Sequence, residues 1–339
     1  MASDFNIAIV GATGAVGTEF LQLLGRRDFP LGQLKLLASP KSAGKRLVFE
    51  GEEIIVRGLT RDSFEGVDFA LFSAGASTSK EFAGAAVKAG AIVIDNSSAF
   101  RMEPDVPLVI PEINPEDAWK HQGIVAVPNC TTIVALMALF PLHRAFRVKR
   151  VIAASYQAVS GAGAKAIAEL SSQVEASLAL TGVKHEVFPH PIAFNVLPQV
   201  DTFLENGYTK EEAKFLNESR KILHHPTLRA SITCVRVPVY RAHSVAMNAE
   251  FEQPISVDRA RDVLAKFQGL ELVDDPANQQ YPMPIRCAGK ENCEVGRIRI
   301  DTALDNGIAF WVCGDQLLKG AALNAVQIAE LLIKRRTES

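Results

Sequence analysis

Asn6-Ile-Ala-Ile-Val10 is a short apolar run. Gly11-Ala-Thr-Gly14-Ala-Val-Gly17 comes directly after it, and then the amphipathic run Thr18 to Leu24. Apolar run, glycine loop and helical period in this order read as strand, turn and helix. The GxxGxxG spacing lets the first glycine turn tightly, the second admit a pyrophosphate against the backbone, and the third pack helix on strand, with the phosphate at the helix N-terminus. A lone glycine triplet can also be a bare turn, so the reading depends on the downstream pattern.

Downstream of Leu24 the chain keeps alternating. A second strand, Leu34 to Ala38, ends at Ser39-Pro-Lys41-Ser42-Ala-Gly-Lys45. A site for an unphosphorylated ribose would usually carry Asp or Glu there; hydroxyls and cations favour a 2′-phosphate and hence NADP, with Ser39, Lys41 and Ser42 as contacts. A plain solvated loop is the alternative. A strand over 68–73 reaches Gly75, a helix spans Lys80 to Ala89, and a strand spans Ala91 to Asp95. This β-α alternation predicts a doubly wound parallel sheet, with ligands beyond the carboxyl ends of its strands. Gly75, Asn96, Ser97, Ser98 and Arg101 fall at such ends.

Cys130 lies in Val-Pro-Asn-Cys-Thr-Thr (127–132), where a short apolar strand gives way to a long apolar helix, Thr132 to Phe146. A sulfur at a helix N-terminus feels the positive end of the helix dipole and free N–H groups, which favour thiolate and lower a pKa from its usual value near ~8.5. Such a thiol attacks carbonyls at neutral pH.

The second half offers partners. A strand over 150–155 leads to Tyr156-Gln157-Ala-Val-Ser160-Gly161-Ala-Gly163, a second strand-to-glycine junction whose simplest reading is a tight turn before an Ala-rich helix. A strand from Cys234 to Tyr240 carries Arg236 and Pro238 and reaches His243. Of the seven histidines, His243 is best placed for proton transfer, at a strand end with an arginine seven residues before it. Arg236 suits a carboxylate, which its fork binds bidentately. The charged run 208–218, with Glu211, Glu212 and Lys214, has helical spacing and reads as a solvated face. The C-terminal helix, Gln316 to Arg335, is amphipathic and is expected to pack back on the first domain, with Asn324 among Ala and Val.

Composition sets the bounds. At 339 residues the chain exceeds the ~250 to 300 at which one core stops growing, so two domains are expected. A formal charge of -2 gives no global attraction to nucleic acid or an anionic membrane, so any acidic ligand needs local cations. The five cysteines contain no CxxC pair and fit reduced thiols in the cell interior. The only close histidine pair, His224-His225, diverges on any regular element, so no metal site is expected. No stretch approaches a membrane span, and the first residues lack the features of a signal peptide.

Together, Gly11 to Gly17, Asp95-Asn-Ser-Ser-Ala-Phe-Arg101, Pro128-Asn-Cys130-Thr-Thr, Tyr156 to Gly163 and Arg236-Val-Pro-Val-Tyr-Arg-Ala-His243 resemble aspartate-semialdehyde dehydrogenases over nearly the full chain. The resemblance implies an α/β and α+β architecture: an NADP-binding Rossmann domain over 1–131, a catalytic and dimerisation domain over 132–315, and a C-terminal helix over 316–339 returning to the first. It implies reversible NADP-dependent conversion of L-aspartate 4-semialdehyde and phosphate to 4-aspartyl phosphate by a cytoplasmic homodimer serving lysine, diaminopimelate, threonine and methionine synthesis.

By motif, Cys130 would be the nucleophile that forms a thioester, His243 the acid/base and Gln157 an orienting residue. Arg236 would bind the substrate carboxylate and Glu211 its amino group, with Arg101, Asn129 and Lys214 at the phosphate; Glu212 also fits the Glu211 role. Cofactor contacts would come from Gly11, Thr13, Gly14, Ala15, Val16, Gly17, Ser39, Lys41, Ser42, Gly75, Ser160, Gly161 and Asn324. An N-acetyl-glutamyl-phosphate reductase and a non-catalytic relative are the alternatives. The Asn-Ser-Ser-Ala-Phe-Arg segment and the retained Cys130, Gln157, Arg236 and His243 speak against them.

Overall fold

The structure, a computed structural model, describes residues 4–338. The chain divides into two compact units, one formed by residues 1–129 and 321–339 and the other by Cys130–Gly320.

The first unit is built on a parallel sheet. Strand β1 (Phe5–Val10) leads into helix α1 (Ala15–Arg26), then β2 (Leu31–Ala38), the hairpin β3 (Arg46–Phe49) and β4 (Glu52–Ile55), and the short β5 (Arg57–Gly58). After β6 (Phe69–Phe72) come α2 (Ala76–Lys88), β7 (Ile92–Asp95) and β8 (Ile124–Ala126). The sheet order is β5-β2-β1-β6-β7-β8 and every pairing in it is parallel. Ile7, Ile9, Val93 and Ile94 have no exposed surface, as expected of strands covered on both faces. The glycine loop is as tight as its sequence implies: a Cβ on Gly17 would lie 2.2 Å from the Gly11 carbonyl oxygen, so only glycine lets α1 start there.

The second unit begins with α3 (Cys130–Phe146) and continues through β9 (Val148–Gln157), α4 (Ala164–Leu178), α5 (Lys210–Ile222), β10 (Arg229–Arg236) and β11 (His243–Phe251). Next in the chain are α6 (Val257–Ala265), β12 (Leu270–Leu272), α7 (Pro284–Cys287), β13 (Cys293–Ile300) and β14 (Gly307–Gly314). Its mixed sheet has the order β10-β9-β11-β14-β13-β12. On one face α3 packs against β9, β11 and β14. On β9 the other face leaves Ile152 and Tyr156 exposed.

Two expectations change here. The strand expected from Cys234 to Tyr240 ends at Arg236, and His243 opens the next strand instead of ending this one. Pro238 has no N–H to offer a ladder, and Ala242 takes a φ of 73°, a left-handed turn that reverses the chain. The C-terminal helix does not run regularly from Gln316. The Asp315 side chain accepts the Leu317 and Leu318 N–H groups, and the Gly320 N–H reaches the Asp315 carbonyl, an i to i+5 bond that winds Leu318–Ala322 as a π-helical turn. The regular helix α8 (Leu323–Glu338) comes next and packs within the first unit on α1 and β7. Among the described residues no helix is long and apolar enough to cross a membrane.

Candidate active site

In the first unit a cavity of about 630 Å³ lies over the glycine loop, lined by Gly11, Thr13, Gly14, Ser39, Ser73 and Thr78 among others. That volume suits a nucleotide. Thr13 donates its hydroxyl to Ser42 at 3.3 Å, which ties the glycine loop to the end of β2, where exposed Ser39 and Lys41 stand and no carboxylate does. Ala15 and Val16 open α1, so their N–H groups belong to its N-terminal turn. Gly75 precedes α2 with a φ of 89°. Along the strand ends, Arg101 is buried and donates to the carbonyls of Asn96 (2.8 Å) and Val127 (2.9 Å), bridging the loops after β7 and β8. Asn96 Oδ1 is buried without a partner, and Asn129 is buried two residues beyond Val127. Asn324 is fully buried in α8 and its amide donates to the Val109 carbonyl. The glycine cradle, the hydroxyl and lysine donors and the orphaned amide oxygen fit a dinucleotide.

The second unit gathers the other polar residues at the ends of β9 and β10. These strands are parallel, and their register sets Gln157 beside Arg236. Gln157 is buried; its Oε1 accepts from the Ser155 hydroxyl at 3.0 Å and its Nε2 donates to Glu211 at 3.1 Å. Arg236 is buried, donates to the Ala158 carbonyl at 2.8 Å, and sets its guanidinium 5.8 Å from the centre of the Phe188 ring. Burial lowers its pKa, opposed by the charges of Glu211 and Cys130. Cys130 therefore lies within electrostatic reach of Arg236. It is half-buried and is the first residue of α3.

The sequence left Glu211 and Glu212 interchangeable; the helix separates them. Thr209 caps α5, accepting the Glu212 N–H while Glu212 accepts the Thr209 N–H, a reciprocal capping box. Glu212 Oε1 also accepts the Cys234 N–H at 2.9 Å, so both its oxygens serve the fold. Glu211 turns the other way, to Gln157 and to Lys214 at 3.0 Å. Lys214 also donates to Asp201 at 2.9 Å, a partner that nothing in the sequence spacing indicates. Burial alone would push Lys214 down, but Glu211 and Asp201 more than offset it and hold its ammonium above the ordinary value. The charged face expected to be solvated is thus turned into the unit.

His243 is completely buried. The Ala158 N–H donates to its Nδ1 at 3.0 Å, and its Nε2 has no partner. Burial, then the nearby charge of Arg236, hold the imidazole well below its ordinary pKa. Gly161, in the turn after β9, faces that nitrogen. A Cβ there would lie 3.2 Å from His243 Nε2 and 3.0 Å from Arg236 Nη1. Ser160, beside it, accepts a hydrogen bond from Gln316. Burial pushes the neighbouring Cys234 thiol up to about 12, which leaves it inert beside Cys130.

A buried arginine, a carboxylate–lysine pair and an unpartnered imidazole nitrogen, in the same unit as a thiol at a helix start, can hold a small amino acid and move a proton. Residues 6–121 match the family model described as semialdehyde dehydrogenase, NAD binding domain, and residues 139–319 match semialdehyde dehydrogenase, dimerisation domain. An aspartate-semialdehyde dehydrogenase from Synechocystis sp. is 52% identical over 335 residues, covering 99% of each chain. The chain belongs to the aspartate-semialdehyde dehydrogenase family. Another such dehydrogenase, from Bacillus subtilis, is 47% identical over 98% of this chain and 99% of its own. The crystal structure of aspartate semialdehyde dehydrogenase II from Vibrio cholerae aligns with a TM-score of 0.95 at 43% identity, covering 98% of this chain and 99% of that one; a second crystal structure of that enzyme, complexed with ASA, aligns equally well.

Proposed function

We propose that the chain catalyses the reversible, NADP-dependent interconversion of L-4-aspartyl phosphate and L-aspartate 4-semialdehyde plus phosphate through a thioester on Cys130. The observation that carries this reading is the buried, unpartnered Nε2 of His243, set beside the Arg236 guanidinium in the unit whose helix α3 opens with Cys130.

Arg236 binds the substrate α-carboxylate with its fork, and Glu211 takes the amino group while Gln157 holds the Glu211 carboxylate in place. In the biosynthetic direction the Cys130 thiolate adds to the acyl phosphate, the C–O bond to phosphate breaks, and a thioester remains. Lys214, kept charged by its two carboxylates, and Arg101 serve the leaving phosphate. The bound nicotinamide supplies or accepts the hydride. Because Nδ1 accepts from Ala158, the neutral ring carries its proton on Nε2. That N–H donates a hydrogen bond to the oxyanion left on the carbonyl carbon and steadies it, and the carbonyl of the aldehyde re-forms as the C–S bond breaks and the Cys130 thiolate leaves. The proton stays on the ring throughout, so His243 acts as the acid from Nε2 alone.

Ser39, Lys41 and Ser42 favour NADP over NAD, since a 2′-phosphate meets cations and hydroxyls there. The sheet face with exposed Ile152 and Tyr156 and half-buried Trp311, whose ring lies 5.1 Å from that of Tyr156, supports a homodimer. The enzyme would work in the cytoplasm, in lysine, diaminopimelate, threonine and methionine synthesis.

The test is the initial rate of NADP reduction with L-aspartate 4-semialdehyde, with and without phosphate, for wild type and Cys130→Ser. Phosphate-dependent reduction that vanishes in the variant is expected. No reduction by wild type, or faster turnover of N-acetyl-glutamate semialdehyde, overturns the assignment.

A further inference from the structure

Asp315 and Gln316 are buried, lie just beyond β14 and take no part in the proposed chemistry, yet both hold the segment in front of His243. The antiparallel ladder of β11 and β14 ends with His243 paired to Gly314. Side chains continue it where backbone pairing stops. Arg241 Nε donates to Asp315 Oδ2 at 2.5 Å, and the Ala242 N–H donates to Gln316 Oε1 at 2.8 Å. Gln316 also donates to Ser160. One amide thereby joins the turn that carries Gly161 to the turn that carries His243.

Asp315 is a rigid anchor without Arg241. Its Oδ2 also accepts the Gly289 N–H at 2.6 Å, and its Oδ1 accepts from Leu317 and Leu318. The segment it holds needs an outside constraint. Ala242, with its φ of 73°, sits where a residue bearing a Cβ stays only when its surroundings over-determine it. The direction in which the chain leaves Ala242 sets where the imidazole of His243 points. The strand ladder holds His243 from one side only, since its first pair is His243 with Gly314 and the approach through Ala242 lies outside it.

We propose that the Arg241–Asp315 ion pair, with Gln316 on the adjoining N–H, is a positioning device that aims the His243 imidazole at the reacting oxygen; the inference rests on the acid–base reading of His243. The pair acts through the ring and touches neither substrate nor cofactor. The Arg241 side chain is partly exposed, so removing it strips little from the core while releasing the turn.

The test compares Arg241→Met, Arg241→Lys and His243→Asn by kcat, KM for both substrates, the pH dependence of kcat/KM and the thermal midpoint. Arg241→Met is expected to lower kcat about 10- to 100-fold with both KM values changed less than about three-fold, since a small misplacement of a catalytic group costs rate more than binding. It should also move the acidic limb of the pH profile. Arg241→Lys, which keeps a cation for Asp315, should recover most of kcat. Wild-type kcat and pH profile in Arg241→Met would overturn the proposal. Equal losses in the Met and Lys variants, matched by equal falls in thermal midpoint, would also overturn it by making the pair purely structural. Wild-type kcat in His243→Asn would instead sink the acid–base reading, so the two failures are distinguishable.

Discussion

The backbone N–H of Ala158 donates to Nδ1 of His243 at 3.0 Å across 85 positions of sequence. An occupied acceptor at Nδ1 puts the neutral ring's proton on Nε2, the nitrogen that Gly161 leaves uncovered. The strand end that supplies Gln157 therefore also selects the tautomer of the imidazole.

The first prediction concerns pH. Burial and the Arg236 charge disfavour imidazolium, so the folded pKa of His243 lies well below its unfolded value, near ~6.5. The neutral ring's contribution to stability is fully present above that unfolded value and is lost as pH falls toward the depressed folded one. The acidic limb of kcat/KM belonging to His243 should therefore lie below about 6.5 and vanish in His243→Asn. A limb at or above that value in wild type would contradict a ring held neutral.

Cys130→Ser should remove turnover while leaving NADP affinity within about two-fold, because in the proposed reaction the thiol would act on the carbonyl while the glycine loop, which belongs to the other unit, would take the cofactor's phosphates. Fluorescence titration of NADPH against the variant, beside its steady-state rate, checks both halves.

Gly161→Ala should cost at least about 10-fold in kcat/KM with little change in thermal midpoint. The new Cβ would lie 3.0 to 3.2 Å from Arg236 Nη1 and His243 Nε2, so both ends must shift. The backbone at Gly161 is open to alanine, which separates this loss from misfolding. Unaltered kinetics would mean that the two groups do not work from their present positions.

Glu211 and Glu212 should behave oppositely. Glu212→Ala removes the reciprocal cap of α5 and the acceptor for the Cys234 N–H, and should destabilise the fold by about 1–3 kcal/mol. Glu211→Gln should leave the thermal midpoint nearly unchanged and raise KM for aspartate semialdehyde. Denaturant unfolding and steady-state kinetics on the pair decide it, and exchanged phenotypes would reverse the assignment.

Ser39→Asp should shift the NADP/NAD preference of kcat/KM toward NAD by at least about 10-fold, since a carboxylate repels a 2′-phosphate and accepts from a 2′-hydroxyl. An unmoved ratio would locate the discrimination elsewhere.

Much of this protein is written locally. The apolar run Asn6 to Val10 and the spacing of Gly11, Gly14 and Gly17 specify β1, the tight loop and α1, because strand period and steric room for a helix start are decided within a dozen residues. The same holds for Cys130 at the head of α3 and for Gln157 at the end of β9. Long-range pairing was not legible. A continuous strand through Pro238 reads as well as the turn that replaces it, until the left-handed Ala242 and the pairing of His243 with Gly314 decide otherwise. Glu211 and Glu212 look alike in sequence, and only the Thr209 cap and the Cys234 N–H tell them apart. Asp201 on Lys214, and Asp315 and Gln316 behind His243, carry no sequence signal. A hydrogen-bond partner 13 or 74 positions away is chosen by strand register and by the need to satisfy buried polar groups, and both come into being only when the sheet closes.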